Sequence, residues 1–376
     1  MKIGVPKETA AGERRVALVP DVVKSLKKNE HVEVLVESGA GDAAGHPDSQ
    51  YAEAGAEVVD AGATWAADVV LRVAAPSNEE IGKLNSSQVL IAHLSPWTAA
   101  ESNNALAAAG VTSFAMEAVP RTTRAQAMDA LSSQAAAAGY AATLIGARES
   151  GRFFGMMTTA AGTVPPAKVL VLGAGVAGLQ AIATARRLGA VVSAFDTRPA
   201  VKEQVLSLGA TFVELEMEVG ETAQDARGYA TVLSESQLVE QQRMLERHVS
   251  DSDVVITTAA VPGQPAPKLI PGHAVEAMRT GSVIVDLAAE TGGNCELTEP
   301  GEVVERHGVT LIGTLNLPAG MPLHASQMYA RNIQAVLEHL VVDGAVTLDF
   351  EDEITADAVV THEGRVTSRL LQGATA

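Results

Sequence analysis

Short apolar runs bounded by turn residues recur along this chain. Residues 2–5, 31–37, 68–73, 89–93 and 111–115 carry the continuous or alternating Val, Ile and Leu pattern of buried strands. Helical spacing separates them, at 21–28 behind Pro20 and at 99–109. The pattern is a βαβ series with no glycine fingerprint. From 124 to 149 Ala, Ser, Gln, Leu and Met dominate without a Pro, predicting one long helix in which 135–139 offers a smooth face for close packing. After a break at 163–166 a second series begins, with strands predicted at 169–172, 191–195, 211–214, 254–257, 283–287 and 309–313. A helix follows from 322 to about 340, then two alternating segments, 346–350 and 358–361, predicted as a hairpin-like end.

The chain has 376 residues, 47% of them hydrophobic. Single cores stop growing near ~250–300 residues, so two domains are expected. Richness in Ala, Gly and Val favours helices packed closely on sheets buried on both faces. The expected class is α/β, with two Rossmann-like doubly wound domains. Residues 1–130 plus 320–376 form the first, which is discontinuous, and 131–319 form the second. Long helices join them and leave a nucleotide cleft between.

Charge and cysteine content exclude several classes of function. Twenty-seven basic against 45 acidic side chains give a net charge of −18, which repels phosphate backbones and anionic lipid heads. No nucleic-acid partner is expected. The single Cys295 rules out an intrachain disulfide or a multi-thiolate metal site and fits a reducing cytoplasm. The N-terminus carries no secretory signal, and the most membrane-like stretch, 135–147, falls short of the roughly 20 residues a span needs. The nine histidines have no metal-ligand spacing, and neither a nucleophile elbow nor a Walker loop is present. No metal site is expected.

The chemistry starts at KVLVLGAGVAGLQ. Gly173, Gly175 and Gly178 make GxGxxG directly after a strand and before a helix. The first permits a tight turn, the second lets backbone N–H groups approach a pyrophosphate, and the third packs the helix on the strand with its positive end toward the phosphates. Asp196 ends the next strand, roughly 20 residues on, where an acid holds the adenosine ribose hydroxyls. That charge favours NAD over NADP, although Arg198 is a cation able to offset it. Small residues at 257–263, Ala259, Ala260 and Val261 among them, follow the fourth strand and let backbone lie beside a nicotinamide ribose. The segment PRTTRAQAMDALS is a polar cluster in apolar surroundings, and Arg121, Gln126, Asp129 and Ser132 have the chemistry to bind a carboxamide, a ribose or a carboxylate.

Longer motifs carry a resemblance. GVPKE, ERRVALVP and VESGAG resemble the opening of the alanine dehydrogenase and nicotinamide nucleotide transhydrogenase superfamily. PRTTRAQAMDALSSQ, FDTRPAVKEQV, TTAAVPGQPAPKLI and GSVIVDLAAETGGNCELT resemble its proton-translocating transhydrogenase branch, in the NAD(H)-binding opening portion of the alpha subunit. The resemblance runs over nearly the whole chain. It implies that Arg121, Gln126 and Asp129, with Ser132 a helical turn on, hold the nicotinamide, and that Val176, Asp196, Thr197 and Arg198 contact the nucleotide. It also implies a mobile loop closing with Gly228 and Tyr229. NADP(H) would sit only on a partner subunit, beside a membrane-spanning proton-channel component, with this chain a homodimer held through those partners at the cytoplasmic face of the inner membrane.

Two alternatives stand beside it. Alanine dehydrogenase carries a lysine where this chain has Ala74 and a histidine where it has Ser95, and loss of a proton donor typically costs about 10²–10⁴ in rate. His93 lies two residues from the latter position, and Arg14 or Arg15 remains able to hold a carboxylate. A non-catalytic NAD-binding sensor is the other.

Overall fold

The computed structural model describes residues 1–215, 234–261 and 263–372. The chain divides into two compact units, Met1–Gln134 with Pro318–Ala376, and Ala135–Leu317.

In the first unit β1 (Lys2–Val5), β2 (Glu33–Glu37), β3 (Glu57–Val59), β4 (Val69–Leu71), β5 (Val89–Ala92) and β6 (Thr112–Ala115) are all parallel, in the order β3-β2-β1-β4-β5-β6. This is the doubly wound order, whose direction of winding reverses between β1 and β4. Every residue of β4, β5 and β6 is buried, which is why their sequence reads as unbroken apolar runs. β3 escaped the sequence pattern because its three residues are half-buried or exposed. The strand Val359–His362 returns antiparallel onto β6, with Arg365–Val366 at the outer edge, so the C-terminal residues complete this sheet. Where a single terminal hairpin was expected, two form, Val341–Val342 with Ala345–Val346 and Val359–His362 with Arg365–Val366, separated by the helix Glu353–Ala358.

The helix Pro322–Leu340 buries Ala325, Tyr329, Ala330, Ile333, Val336, Leu337 and Leu340, the three- and four-residue spacing of one face on a core. Its Tyr329 hydroxyl donates to the Arg72 carbonyl at 2.8 Å, and its Ser326 hydroxyl accepts the Val16 N–H at 3.0 Å.

The predicted helix from 124 to 149 is shorter than expected. Thr123–Met128 is a 3-10 turn, Asp129 leaves helical backbone at ψ 84°, and the α-helix runs over Ala130–Glu149. The cause is a cap. The Asp129 carboxylate accepts the Ser132 N–H at 2.9 Å and the Ser132 hydroxyl at 2.6 Å, satisfying a free donor of the first turn.

The second unit opens with an antiparallel hairpin, β7 (Met157–Thr159) and β8 (Gly162–Val164), exposed at every residue. Its main sheet contains β9 (Lys168–Leu172), β10 (Val191–Phe195), β11 (Thr211–Phe212), β12 (Val254–Thr257), β13 (Val283–Asp286), β14 (Val303–Arg306) and β15 (Val309–Gly313), in the order β11-β10-β9-β12-β13-β15-β14. All pairs are parallel except β14 with β15, so the doubly wound order repeats with one antiparallel edge strand added. The smooth face predicted near 139 has a steric reason: a Cβ on Gly139 would lie 2.0 Å from the Ala177 carbonyl oxygen.

Candidate nucleotide site

The loop after β9 has the geometry its glycines allow. Gly173 adopts φ +96° and donates its N–H to the Phe195 carbonyl at 2.8 Å. A Cβ on Gly178 would lie 1.9 Å from the Gly173 carbonyl oxygen, so the helix Val176–Arg187 seats on the loop only with glycine there. Gly175 is the N-cap, with no side chain occupying the first-turn N–H groups. A Cβ there would meet only the Arg198 Nη2 within 4 Å, at 3.9 Å, so the loop backbone stands open where a pyrophosphate would approach. Val176, the first helical residue, is exposed.

Asp196 follows β10, and its carboxylate already has four donors. The Ala174 N–H reaches Oδ2 at 2.7 Å and the Arg198 N–H reaches Oδ1 at 2.9 Å. The Arg198 guanidinium adds Nε to Oδ1 at 2.9 Å and Nη2 to Oδ2 at 2.7 Å. These charge-assisted hydrogen bonds hold the Arg198 guanidinium above its already high ordinary value. Asp196 thus ties the glycine loop to the end of β10, with Thr197 half-buried beside it. A ribose hydroxyl bound at this acid would have to share it with Arg198.

Beyond β12, Ala259 and Val261 are half-buried and Ala260 is exposed. Gly228 and Tyr229 lie outside the described residues. In the first unit, Pro120, Arg121, Thr122, Thr123, Ala125, Gln126, Asp129 and Ser132 line a pocket of ≈ 250 Å³. The structure therefore brings together all four polar residues that the sequence singled out there. Their roles differ. Asp129 and Ser132 are bonded to each other, whereas Gln126 stands exposed on the 3-10 turn. Asn332 fixes that turn from below, donating to the Ala127 carbonyl at 2.8 Å and accepting from the Ser133 hydroxyl at 2.7 Å. Arg124 anchors its outer side through Asp352 at 2.5 Å. Neither anchor was legible beforehand, since Asn332 and Asp352 are some 200 residues away in sequence.

The residues relevant to a keto-acid site sit at the carboxyl ends of the first unit's strands. Arg15 is 7% exposed and meets Glu13 through Nε at 2.8 Å and Nη2 at 2.6 Å, while Nη1 donates to Gln134 at 2.8 Å. His93 Nδ1 lies 3.4 Å from Glu117 Oε2. Glu117 Oε1 accepts the Leu94 and Ser95 N–H groups. Arg72, fully buried, pairs with Glu8 at 2.8 Å and Glu80 at 2.5 Å. Each of these three cations therefore has a carboxylate from the chain itself beside it. Arg14 is exposed.

Among the described residues no group of His, Cys, Asp and Glu is placed to hold a metal ion, and no helix is long and apolar enough to cross a membrane.

The family model described as alanine dehydrogenase/PNT, N-terminal domain, matches residues 4–138, and the corresponding C-terminal domain model matches 142–369. The separately encoded opening portion of the NAD(P) transhydrogenase subunit alpha of Rhodospirillum rubrum is 46% identical, covering 99% of both chains. A crystal structure of transhydrogenase from Sinorhizobium meliloti superposes with TM-score 0.89 at 46% identity, covering 97% of this chain and 100% of that one. The alanine dehydrogenase of Mycolicibacterium smegmatis is 30% identical over 98% of this chain and 95% of its own.

Proposed function

Since this chain belongs to the alanine dehydrogenase/PNT family over both of its domains, we propose that it is the NAD(H)-binding component of a proton-translocating NAD(P) transhydrogenase, passing hydride from NADH to NADP⁺ held by a partner subunit. The observation that carries the reading is its end-to-end match at 46% identity to the Rhodospirillum rubrum transhydrogenase alpha chain, against 30% for an alanine dehydrogenase of similar length. The residues point the same way. Ala74 and Ser95 stand where the rival enzyme has its lysine and histidine, and Arg15 is engaged by Glu13.

NAD(H) fits the residues present, because the Gly173–Gly178 loop leaves an open backbone cradle at Gly175 and ends in an uncapped helix. When bound, the dinucleotide supplies the hydride at C4 of its nicotinamide. The chain supplies binding and orientation, with no proton donor required. Gly173, Gly175, Val176 and Gly178 hold the pyrophosphate, and Asp196, Thr197 and Arg198 hold the adenosine ribose. Ala259, Ala260 and Val261 border the nicotinamide ribose. Gln126, whose amide both donates and accepts, orients the carboxamide. Asp129 and Ser132 keep the turn that carries it in place, and Arg121 steadies the same pocket. Gly228 and Tyr229 close over the nucleotide.

The partners follow from this reading: a membrane-spanning proton-channel component, an NADP(H)-binding component, and a second copy of this chain. The complex would hold this component at the cytoplasmic face of the membrane. The decisive experiment mixes the purified chain with membranes carrying the other two components and follows NADH-dependent reduction of an NADP analogue. Activity that needs both fractions is expected. A brisk alanine-dependent reduction of NAD by the chain alone would instead establish the amino-acid dehydrogenase.

A further inference from the structure

The segment DLAAETGGNCELT has no part in the roles above, yet it is where the second unit concentrates its buried polar groups. Asp286, at the end of β13, is fully buried and satisfied on both oxygens. Oδ1 accepts the Thr257 hydroxyl at 2.9 Å and the Ala288 N–H at 3.0 Å, and Oδ2 accepts the Cys295 N–H at 3.0 Å and the Thr298 hydroxyl at 2.8 Å. This fixes the turn through Gly292 and Gly293, both at positive φ, and places Asn294 behind the loop that leaves β12.

Asn294 is also fully buried. Its Oδ1 accepts the Ala259 N–H at 3.0 Å, while its Nδ2 donates to the Ala259 carbonyl at 2.8 Å and the Pro267 carbonyl at 2.9 Å. One amide thereby grips both peptide groups of a single residue, and an amide is the side chain that offers donor and acceptor together. The residue before Ala259 is tied elsewhere: the Thr258 hydroxyl donates to the Gly173 carbonyl at 2.9 Å. Three consecutive residues thus have separate partners, Thr257 on β13, Thr258 on the glycine loop and Ala259 on Asn294. The loop after β12 is held in register with the loop after β9 by side-chain hydrogen bonds rather than by its own backbone ladder.

We infer that Asn294 is a positioning residue for the nicotinamide half of the dinucleotide site, setting the path of 258–261 relative to the glycine loop. The inference rests on the nucleotide-binding reading above. Asn294→Asp keeps the acceptor for Ala259 but removes both donations and buries a charge, so the loop loses its fixed path while the glycine loop and Asp196 remain untouched.

The test titrates the full-length chain with NADH, which occupies both halves of the site, and with 5′-AMP, which occupies the adenosine half alone. For Asn294→Asp, NADH affinity is expected to fall at least about tenfold, with 5′-AMP affinity within about twofold of wild type. A general loss of structure would lower both together, and that result overturns the inference, as does unchanged NADH affinity. Should Asn294→Asp fail to fold, Thr258→Val decides in its place. It is near-isosteric and breaks only the tie to Gly173, and the same selective loss of NADH is expected, with no change overturning the inference. A wild-type chain that binds no NADH would sink the nucleotide reading itself and the inference with it, whereas wild-type binding with indifferent variants sinks the inference alone.

Discussion

Gln126 is the residue on which the proposed chemistry depends most directly, because it is the exposed amide on a turn whose other polar members are committed to each other. Shortening it to asparagine keeps the functional group and withdraws it by one methylene. Hydride transfer in Gln126→Asn should therefore slow by about tenfold or more while NADH affinity changes less, since misplacement of the order of 1 Å is felt mainly in reactive geometry. Stopped-flow transfer rates beside equilibrium titration check this, and equal transfer rates in the two forms would remove Gln126 from the role. At this scale the sequence was informative wherever backbone sterics choose the residue. Gly173 and Gly178 were legible because no side chain fits at a turn with φ +96° or at 1.9 Å from a carbonyl oxygen. Asn294, Asn332 and Glu13 were not, because a buried amide or acid looks the same in sequence whether it faces solvent or grips a distant peptide.

Among the elements, the β7–β8 hairpin is the one without a core of its own. Phe153 is 54% and Met156 67% exposed, and Met157 and Val164 are also exposed. At its base Gly155 packs on Gly189, beside exposed Leu188 and Val191. From residue 153 to 164 the arm carries no charge, in a chain whose net charge of −18 opposes self-association elsewhere. A second copy of the chain is the partner proposed above, and this arm is the surface best suited to it. Phe153→Asp combined with Met156→Asp should shift the chain from dimer to monomer in sedimentation velocity, with the main fold retained by circular dichroism. A double variant that sediments as wild type would place the dimer contact elsewhere. The strands of both sheets were legible from their apolar runs, but this hairpin was not: MTTAAGTV has no alternation with a buried face behind it. The helix expected from 124 was likewise cut back to Ala130, because an aspartate in a helical run reads as a neutral choice until its carboxylate is seen to cap the first turn.

For the whole molecule, acid stability follows from carboxylates whose folded environment differs from water. Burial pushes Glu80 up, but the Ser77 N–H and the Arg72 guanidinium outweigh it and hold its carboxyl below the ordinary 4.5. A carboxyl held low in the fold contributes stability above its unfolded value and loses it as pH falls through the folded one. Asp352 has the same sign: burial opposes, and Arg124 with the Ile354 N–H prevails. Glu8 has the reverse sign, since burial raises its carboxyl against the pull of Arg72. Its contribution is therefore present on the acid side and lost as pH rises through its raised value. Thermal unfolding should accordingly occur at lower temperature as pH falls below about 4.5, with a shallower slope in Glu80→Gln. An unaltered slope would show that Glu80 carries none of this dependence. Sequence by itself determined the α/β class, the doubly wound series of strands, the glycine loop and the polar segment from 120 to 132, because strand burial, helix spacing and glycine sterics are local or periodic constraints written in consecutive residues. Only tertiary structure decided that the C-terminal strand Val359–His362 finishes the first sheet, that Arg15, His93 and Arg72 each face a carboxylate of the chain, and that Asp196 is shared with Arg198. Those outcomes are pairings of one side chain with another, and where the partner lies far along the chain, which one it meets is settled when the core closes and the desolvated charge must find an opposite.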